Sequence, residues 1–314
     1  MISTRRHLRM ASFNIRHCRG ADDILSLPRT ARAIAALDAD IIGLQEVDVC
    51  FDDRSDLADQ AGALGDALGM NAVFGASLPA RKAADAAGRA ALGLPPAPDC
   101  TGYGNAILTR FPILDSRTVM LPVPSGGEQR SALIADLDCD GVRVRAVATH
   151  LSADGSAGAE DRAQQVAALR RELAGDGGGA RAGSGADGPA DAAGYGGADC
   201  AAESVPAATI LVGDMNCTPF SATYRGLTRD WRDARVEALR ARTSAVRGAV
   251  GPVLGALVGA GARFAGGFTH SSTLPLRRID LVLLRGAVRA VRTFVPSTRV
   301  SDHRPLVADL VITD

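Results

Sequence analysis

Lysine is nearly missing from this 314-residue chain: Lys82 is the only one, and the remaining cationic side chains are arginines. Aromatic residues make up only 4% of the chain, with a single tryptophan. The 35 basic and 35 acidic residues cancel, so there is no net charge. These shortages exclude a global basic field that would draw the protein to nucleic acid or to an anionic membrane. No basic run interleaved with aromatics marks a nucleic-acid groove. No uninterrupted apolar run is long enough to span a bilayer. The six cysteines (Cys18, Cys50, Cys100, Cys139, Cys200 and Cys217) form no CxxC pair, and no histidine stands at zinc-finger spacing. Reduced thiols in a cytoplasmic protein are the simplest reading. Met1–His7 runs straight into a strand-like stretch instead of an apolar core with a cleavage site, so no signal peptide is expected. GxGxxG and Walker motifs are absent, no internal repeat is evident, and nothing calls for an obligate protein partner.

With 46% hydrophobic and 22% charged residues, the chain has the composition of an ordinary soluble globular protein. Strand patterns are read at Leu8–Ile15, Ile41–Val47, Thr101–Arg110, Val119–Leu121, Ser131–Asp138, Val142–Thr149, Thr209–Asp214, Arg278–Leu284 and Leu306–Val311. Asp140-Gly141 predicts a hairpin turn. Helical patterns open at Pro28 and cover Asp56–Met70 and Glu160–Leu173, with parts of 221–264 also helical. Residues 79–99 read as an excursion, 174–206 as low-complexity linker or insertion, and 251–261 as a small apolar, glycine-rich piece without an assigned role. Hairpins mixed with helical crossovers predict mixed sheets in an α+β or layered α/β arrangement rather than a Rossmann sheet.

Strand after strand ends in a polar or acidic residue: Asn14, Glu46, Asn105, His150, Asp214 with Asn216, Asp280, and Asp302 with His303. Each has a dull explanation alone, such as a turn cap, an arginine pair or a satisfied core histidine. Strand ends at one sheet edge can converge, and the set then becomes a site of hard oxygen donors plus histidine. Such a set favours Mg²⁺ or Mn²⁺ over zinc.

Seven short motifs occur in order: Ser12-Phe13-Asn14-Ile15, Gly43-Leu44-Gln45-Glu46-Val47, Gly104-Asn105-Ala106-Ile107-Leu108, Thr149-His150, Gly213-Asp214-Met215-Asn216, Arg278-Ile279-Asp280 and Ser301-Asp302-His303-Arg304-Pro305. Together they closely resemble the endonuclease/exonuclease/phosphatase superfamily, the DNase I-like phosphoesterases. The resemblance implies a four-layer α/β/β/α sandwich of two mixed sheets flanked by helices. It also implies one domain over residues 1–314, with an insertion at about 174–206, since motifs lie on both sides of it. It further implies metal-assisted water attack on a phosphodiester or phosphomonoester, with Glu46 binding Mg²⁺ or Mn²⁺ helped by Asn14, and Asp302 as a further ligand. Asp280 would orient His303. His303 or Asp214 would be the general base, Asn216 would hold phosphoryl oxygens, and His150 would stand near the leaving group. Asn105 and Arg130 would contact phosphate, with Arg16 a weaker clamp. His150 resembles the DNase I-, sphingomyelinase- and deadenylase-like branches more than the exonuclease III-type enzymes. The competing expectations are a nuclease acting on DNA or RNA, and a non-catalytic binding protein on the same fold, which would be expected to lack one of Glu46, Asp214, Asn216 or His303.

Overall fold

The computed structural model describes residues 6–81, 89–90, 92–153, 155, 157–174, 205–250 and 267–313, with backbone only for 243–250. Residues 82–88 and 91 of the excursion, residues 175–204 of the insertion and the glycine-rich piece at 251–261 lie outside the described residues.

Among the described residues, twelve strands fall into two six-stranded sheets. The first holds β1 (Arg6–Asn14), β2 (Ile41–Val49), β3 (Asn71–Leu78), β4 (Gly102–Thr109), β11 (Val288–Phe294) and β12 (Leu306–Ile312), in the order β11-β12-β1-β2-β4-β3. The second holds β5 (Ile113–Leu121), β6 (Arg130–Cys139), β7 (Val142–His150), β8 (Ala208–Asp214), β9 (Arg232–Asp233) and β10 (Asp280–Gly286), in the order β5-β6-β7-β8-β10-β9. Each sheet has a parallel pair at its centre, β1 with β2 and β7 with β8, and antiparallel strands outside it. The sheets are therefore mixed, as the motif order implied. β8 follows the 174–206 stretch and pairs with β7, which precedes it.

Alternation along the strands builds the layers. In β1, Leu8 and Met10 face the second sheet, whereas Ala11 and Phe13 face the first sheet's helices. In β8, Ile210 and Val212 face inward and Leu211 faces outward. Burial on both faces explains why these central strands read as unbroken apolar runs. The outer faces are covered by α1 (Leu27–Ala35) and α2 (Gln60–Leu68) on the first sheet, and by α3 (Gly158–Ala174) and α4 (Ala222–Leu227) on the second. Helix α5 (Ala234–Val250) packs against β11. Side-chain caps place the helix starts: Ser26 accepts from Arg29 N–H, Asp59 from Gly62 N–H and Ser221 from Tyr224 N–H.

Two glycines serve packing and turning. A Cβ on Gly43 would stand 2.3 Å from Val212 Cγ2, so glycine lets the sheets approach beside the strand that carries Glu46. Asp140 and Gly141 both take positive φ, 56° and 84°, the pairing a two-residue hairpin needs. Strands β3, β9 and β11 were not expected, and β5 was expected only at its last three residues. Helix α2 starts four residues later than read, because Asp56 and Leu57 take positive φ, 56° and 51°, and Asp59 is the cap.

Candidate active site

The polar residues converge at one edge shared by both sheets. The parallel pairs reach it with their C-terminal ends, bringing Asn14, Glu46, His150 and Asp214. The antiparallel strands β4, β6, β10 and β12 start there, bringing Asn105, Arg130, Asp280 and the Asp302-His303 loop. Asp280 and the Asp302-His303 pair, grouped with the strand ends in the sequence, stand at strand beginnings, and Glu46 and Asn105 lie inside their strands.

Asp280 opens β10 with its carboxylate fully buried, and its Oδ2 lies 2.9 Å from Nδ1 of His303. The opposite ring nitrogen, Nε2, faces Asp214 Oδ2 at 3.4 Å. Burial alone would lower the His303 pKa. Asp280 and then Asp214 outweigh it and hold the imidazole up at about 10, so it carries a proton at neutral pH. The Asp214 pKa moves upward, chiefly because its carboxylate is desolvated between the sheets. Its Oδ1 accepts from Asn216 N–H at 2.9 Å. Its Oδ2 accepts from Asn14 Nδ2 at 3.3 Å, a bond that crosses from one sheet to the other.

Asn14 also donates through Nδ2 to Glu46 at 2.8 Å, while its Oδ1 accepts from Arg16 N–H. In this orientation Asn14 presents N–H, not oxygen, to Glu46, and so orients that carboxylate. Glu46 sits where the β2–β4 register shifts between Leu44 and Val47, at φ 56°. An extra residue at such a bulge re-aims a side chain that the pleat would otherwise bury. Burial, and after it the nearby Asp302, pushes the Glu46 pKa up, against the Asn14 hydrogen bond. Glu46 and Asp302 are thus two carboxylates close enough to repel, with no arginine bonded to either among the described residues. Hard oxygen donors in that state fit a small divalent cation such as Mg²⁺ or Mn²⁺.

His150 is buried. Arg130 Nη1 stands 3.2 Å from Nδ1 and the Asn216 amide nitrogen 3.1 Å from Nε2; both are donors, and a neutral imidazole accepts at only one of its two nitrogens. Nε2 also faces Asp214 at 3.5 Å. Burial, Arg130 and His303 hold the His150 pKa well below the ordinary value, so this ring is neutral. Asn216, at φ 44°, is fixed by donating to Leu151 O. Asn105 donates to Ser131 O, and its Oδ1 is buried without a partner, as are Arg130 Nε and Asp280 Oδ1. Unpartnered buried polar atoms of this kind are atoms a ligand can satisfy. Cys217 is no nucleophile, because burial pushes its thiol up to about 12. Arg16 is turned away from the centre, onto Gly20 O and Asp23.

Two supporting residues were not singled out from sequence. Ser301 Oγ donates to Asn14 O at 2.8 Å, tying the Asp302-His303 loop to the end of β1. His270 packs its ring on that of His303, centroids 4.8 Å apart, and with Asp302 and His303 forms a set whose ligand atoms lie within 4.8 Å of one another. Nothing local marks either residue; both depend on pairing between distant segments.

A sequence model of the Endonuclease/Exonuclease/phosphatase family matches residues 11–303. No curated protein matches the chain. Among solved structures, an endonuclease/exonuclease/phosphatase from Beutenbergia cavernae DSM 12333 superposes with TM-score 0.60 at 22% identity, over 98% of this chain and 72% of that one. A mannosyl-6-phosphatase from Bacteroides thetaiotaomicron VPI-5482 gives TM-score 0.60 at 16% identity, over 97% and 100% of the two chains. The human Nocturnin catalytic domain with bound sulfate gives 0.59 at 18% identity, over 99% and 98%. At these identities the superpositions show a shared fold.

Proposed function

The chain belongs to the endonuclease/exonuclease/phosphatase family, and on that premise we propose that it is a divalent-metal-dependent phosphoesterase. The observation that carries this is the line Asp280–His303–Asp214 meeting Asn14–Glu46 across the gap between the sheets. Glu46 and Asp302 would hold Mg²⁺ or Mn²⁺, which when bound polarises the phosphoryl oxygen and offsets charge on the leaving oxygen.

The remaining steps belong to the chain's own groups. Water attacks phosphorus and the ester P–O bond breaks. Asp214, with a raised pKa, is the base that takes the water's proton at near-neutral pH. His303, kept protonated by Asp280, places a cation on a phosphoryl oxygen. The Asn216 amide and the neutral His150 line the other side of the phosphoryl group, where negative charge develops. Arg130 and the unpartnered Asn105 oxygen line the approach. All four residues whose loss would mark a non-catalytic homologue, Glu46, Asp214, Asn216 and His303, are present at the site.

Purified protein with Mg²⁺ or Mn²⁺ is expected to hydrolyse bis-p-nitrophenyl phosphate, and His303→Ala to abolish the reaction. Inertness of the wild type towards generic phosphoesters, nucleic acids, phospholipids and inositol phosphates, with both metals, would sink the proposal.

A further inference from the structure

Of the donors expected around a cation at this centre, Asn14 is committed elsewhere. Its Nδ2 donates to Glu46 at 2.8 Å and to Asp214 at 3.3 Å, and its Oδ1 accepts from Arg16 N–H. His303 is committed as well, with Nδ1 2.9 Å from Asp280 and Nε2 3.4 Å from Asp214. Asp302 is not: its Oδ1 accepts from Ser301 Oγ, and among the described residues its Oδ2 has no partner. Beside it stands His270, half-buried, with neither ring nitrogen hydrogen-bonded among the described residues. A ring nitrogen of His270 and a carboxylate oxygen of Asp302 lie within 4.8 Å of each other, yet the two side chains form no hydrogen bond. Donors that share an octahedral cation at about 2.1 Å stand roughly 3–4 Å apart, so a small rotation of either side chain closes the gap.

The backbone fixes His270 in that place. Thr269 N–H and His270 N–H donate to Arg277 O at 2.9 and 3.1 Å, and Arg277 N–H returns a bond to His270 O at 2.8 Å. The segment is tied to the catalytic loop by Arg304 N–H on Thr269 O at 2.7 Å and by Ser272 N–H on Asp302 O at 2.6 Å. Thr269 and Ser272, on either side, are buried, and the His270 ring rests on the His303 ring with centroids 4.8 Å apart. An imidazole held rigidly beside a carboxylate, with lone pairs on both unspent, is placed as a pair of ligands is placed. The oxygen donors alone suit Mg²⁺ or Mn²⁺; one imidazole moves the preference along the first-row transition series.

We propose that His270 ligates the catalytic cation together with Asp302 and Glu46, and that its imidazole turns the centre from Mg²⁺ towards first-row transition ions. This rests on the metal-dependent reading above and adds to it a nitrogen ligand and a metal preference. His303 stays outside the coordination set, since both its ring nitrogens face carboxylates.

The test loads the full chain with Mn²⁺ alone and reads the ion by pulsed EPR, in which a ligated nitrogen modulates the electron spin echo. Wild type is expected to show nitrogen modulation that changes its pattern when the protein is labelled with [¹⁵N]histidine. His270→Phe keeps a ring on His303 and is expected to lose that modulation and at least about tenfold in Mn²⁺ affinity. Its Mg²⁺ affinity, measured by competition, is expected to change little. His303→Gln is expected to keep the modulation. If His270→Phe melts early without metal, His270→Gln takes its place, with the same loss of nitrogen signal expected. Modulation that persists without His270 and vanishes without His303 overturns the proposal. Bound Mn²⁺ that shows no histidine nitrogen in the wild type, and is lost in Glu46→Gln, overturns it too but leaves the metal-dependent reading intact. A wild type that binds no Mn²⁺ overturns both.

Discussion

Replacing Asp280 by asparagine deletes one charge and keeps nearly the same shape, so its effect isolates the pairing with His303. The contact is 2.9 Å long between a fully buried carboxylate and a histidine only 5% exposed. Breaking a buried ion pair from one side costs about 3–5 kcal/mol. At about 1.4 kcal/mol per pH unit, that lowers the His303 pKa by roughly two to three and a half units. His303, held up at about 10 in the wild type, should then titrate near neutrality. NMR of the imidazole carbon-bound protons, with His303 assigned by its own variant, measures this directly. The stability profile has a definite sign. A histidine whose folded pKa is raised stabilises fully below its unfolded value, about 6.5, and loses that contribution as pH rises through the folded pKa. The wild-type advantage in Tm over the variant should therefore be largest below about pH 6.5 and should shrink as pH rises through about 10. Phosphoesterase kcat should fall by about 10²-fold or more. A variant whose His303 still titrates above about 9, or a Tm gap that widens with pH, would refute the assignment of Asp280 as the group that charges His303.

Glu46 invites the opposite stability result. Burial, with Asp302 beside it, raises its pKa, so its charged form opposes folding when no cation is bound. Metal-free Glu46→Gln should melt higher than wild type, and Mn²⁺ should raise the wild-type Tm while leaving the variant's unchanged; differential scanning fluorimetry reads both. Away from the site, burial pushes the Asp136 pKa up, but hydrogen bonds from Arg145 and Arg143 outweigh it and hold it below the ordinary value. Asp136→Asn should cost about 3 kcal/mol, and urea melts should show that gap closing as pH falls through the depressed pKa, below about 4. Gly43→Ala sets a Cβ 2.3 Å from Val212 Cγ2 and should cost about 1–3 kcal/mol, part of which the added Val212→Ala recovers.

How much of the fold the chain discloses depends on where a strand sits in its sheet. The central strands β1, β2, β4, β6, β7, β8, β10 and β12 are buried on both faces and stand out as apolar runs. The sheet edges are β11, β3, β5 and β9, and these are the strands missed or truncated. Arg289 and Arg292 break the apolar pattern of β11, and Asn71 and Ala72 open β3 in solvent. An edge strand needs only one buried face, and polar residues on the other protect it from pairing with a neighbour. Its weak signal is thus a consequence of its place in the sheet.

The site was legible as a residue set and in its strand directions, since the stretches read as strands end near Asn14, Glu46, His150 and Asp214 and begin near Asp280 and the Asp302-His303 pair. Period-two alternation does not disclose which of those strands stand side by side. In this fold the two parallel pairs arrive, delivering Asn14, Glu46, His150 and Asp214, and the antiparallel strands leave, starting from Asn105, Arg130, Asp280 and the loop after His303. Only that opposition of directions collects eight strands' polar termini at one edge. It also accounts for the supporting residues that sequence did not mark. Ser301 matters because β12 begins beside the end of β1, and His270 because its segment bridges to His303. Their roles exist only where a strand that arrives stands next to one that leaves.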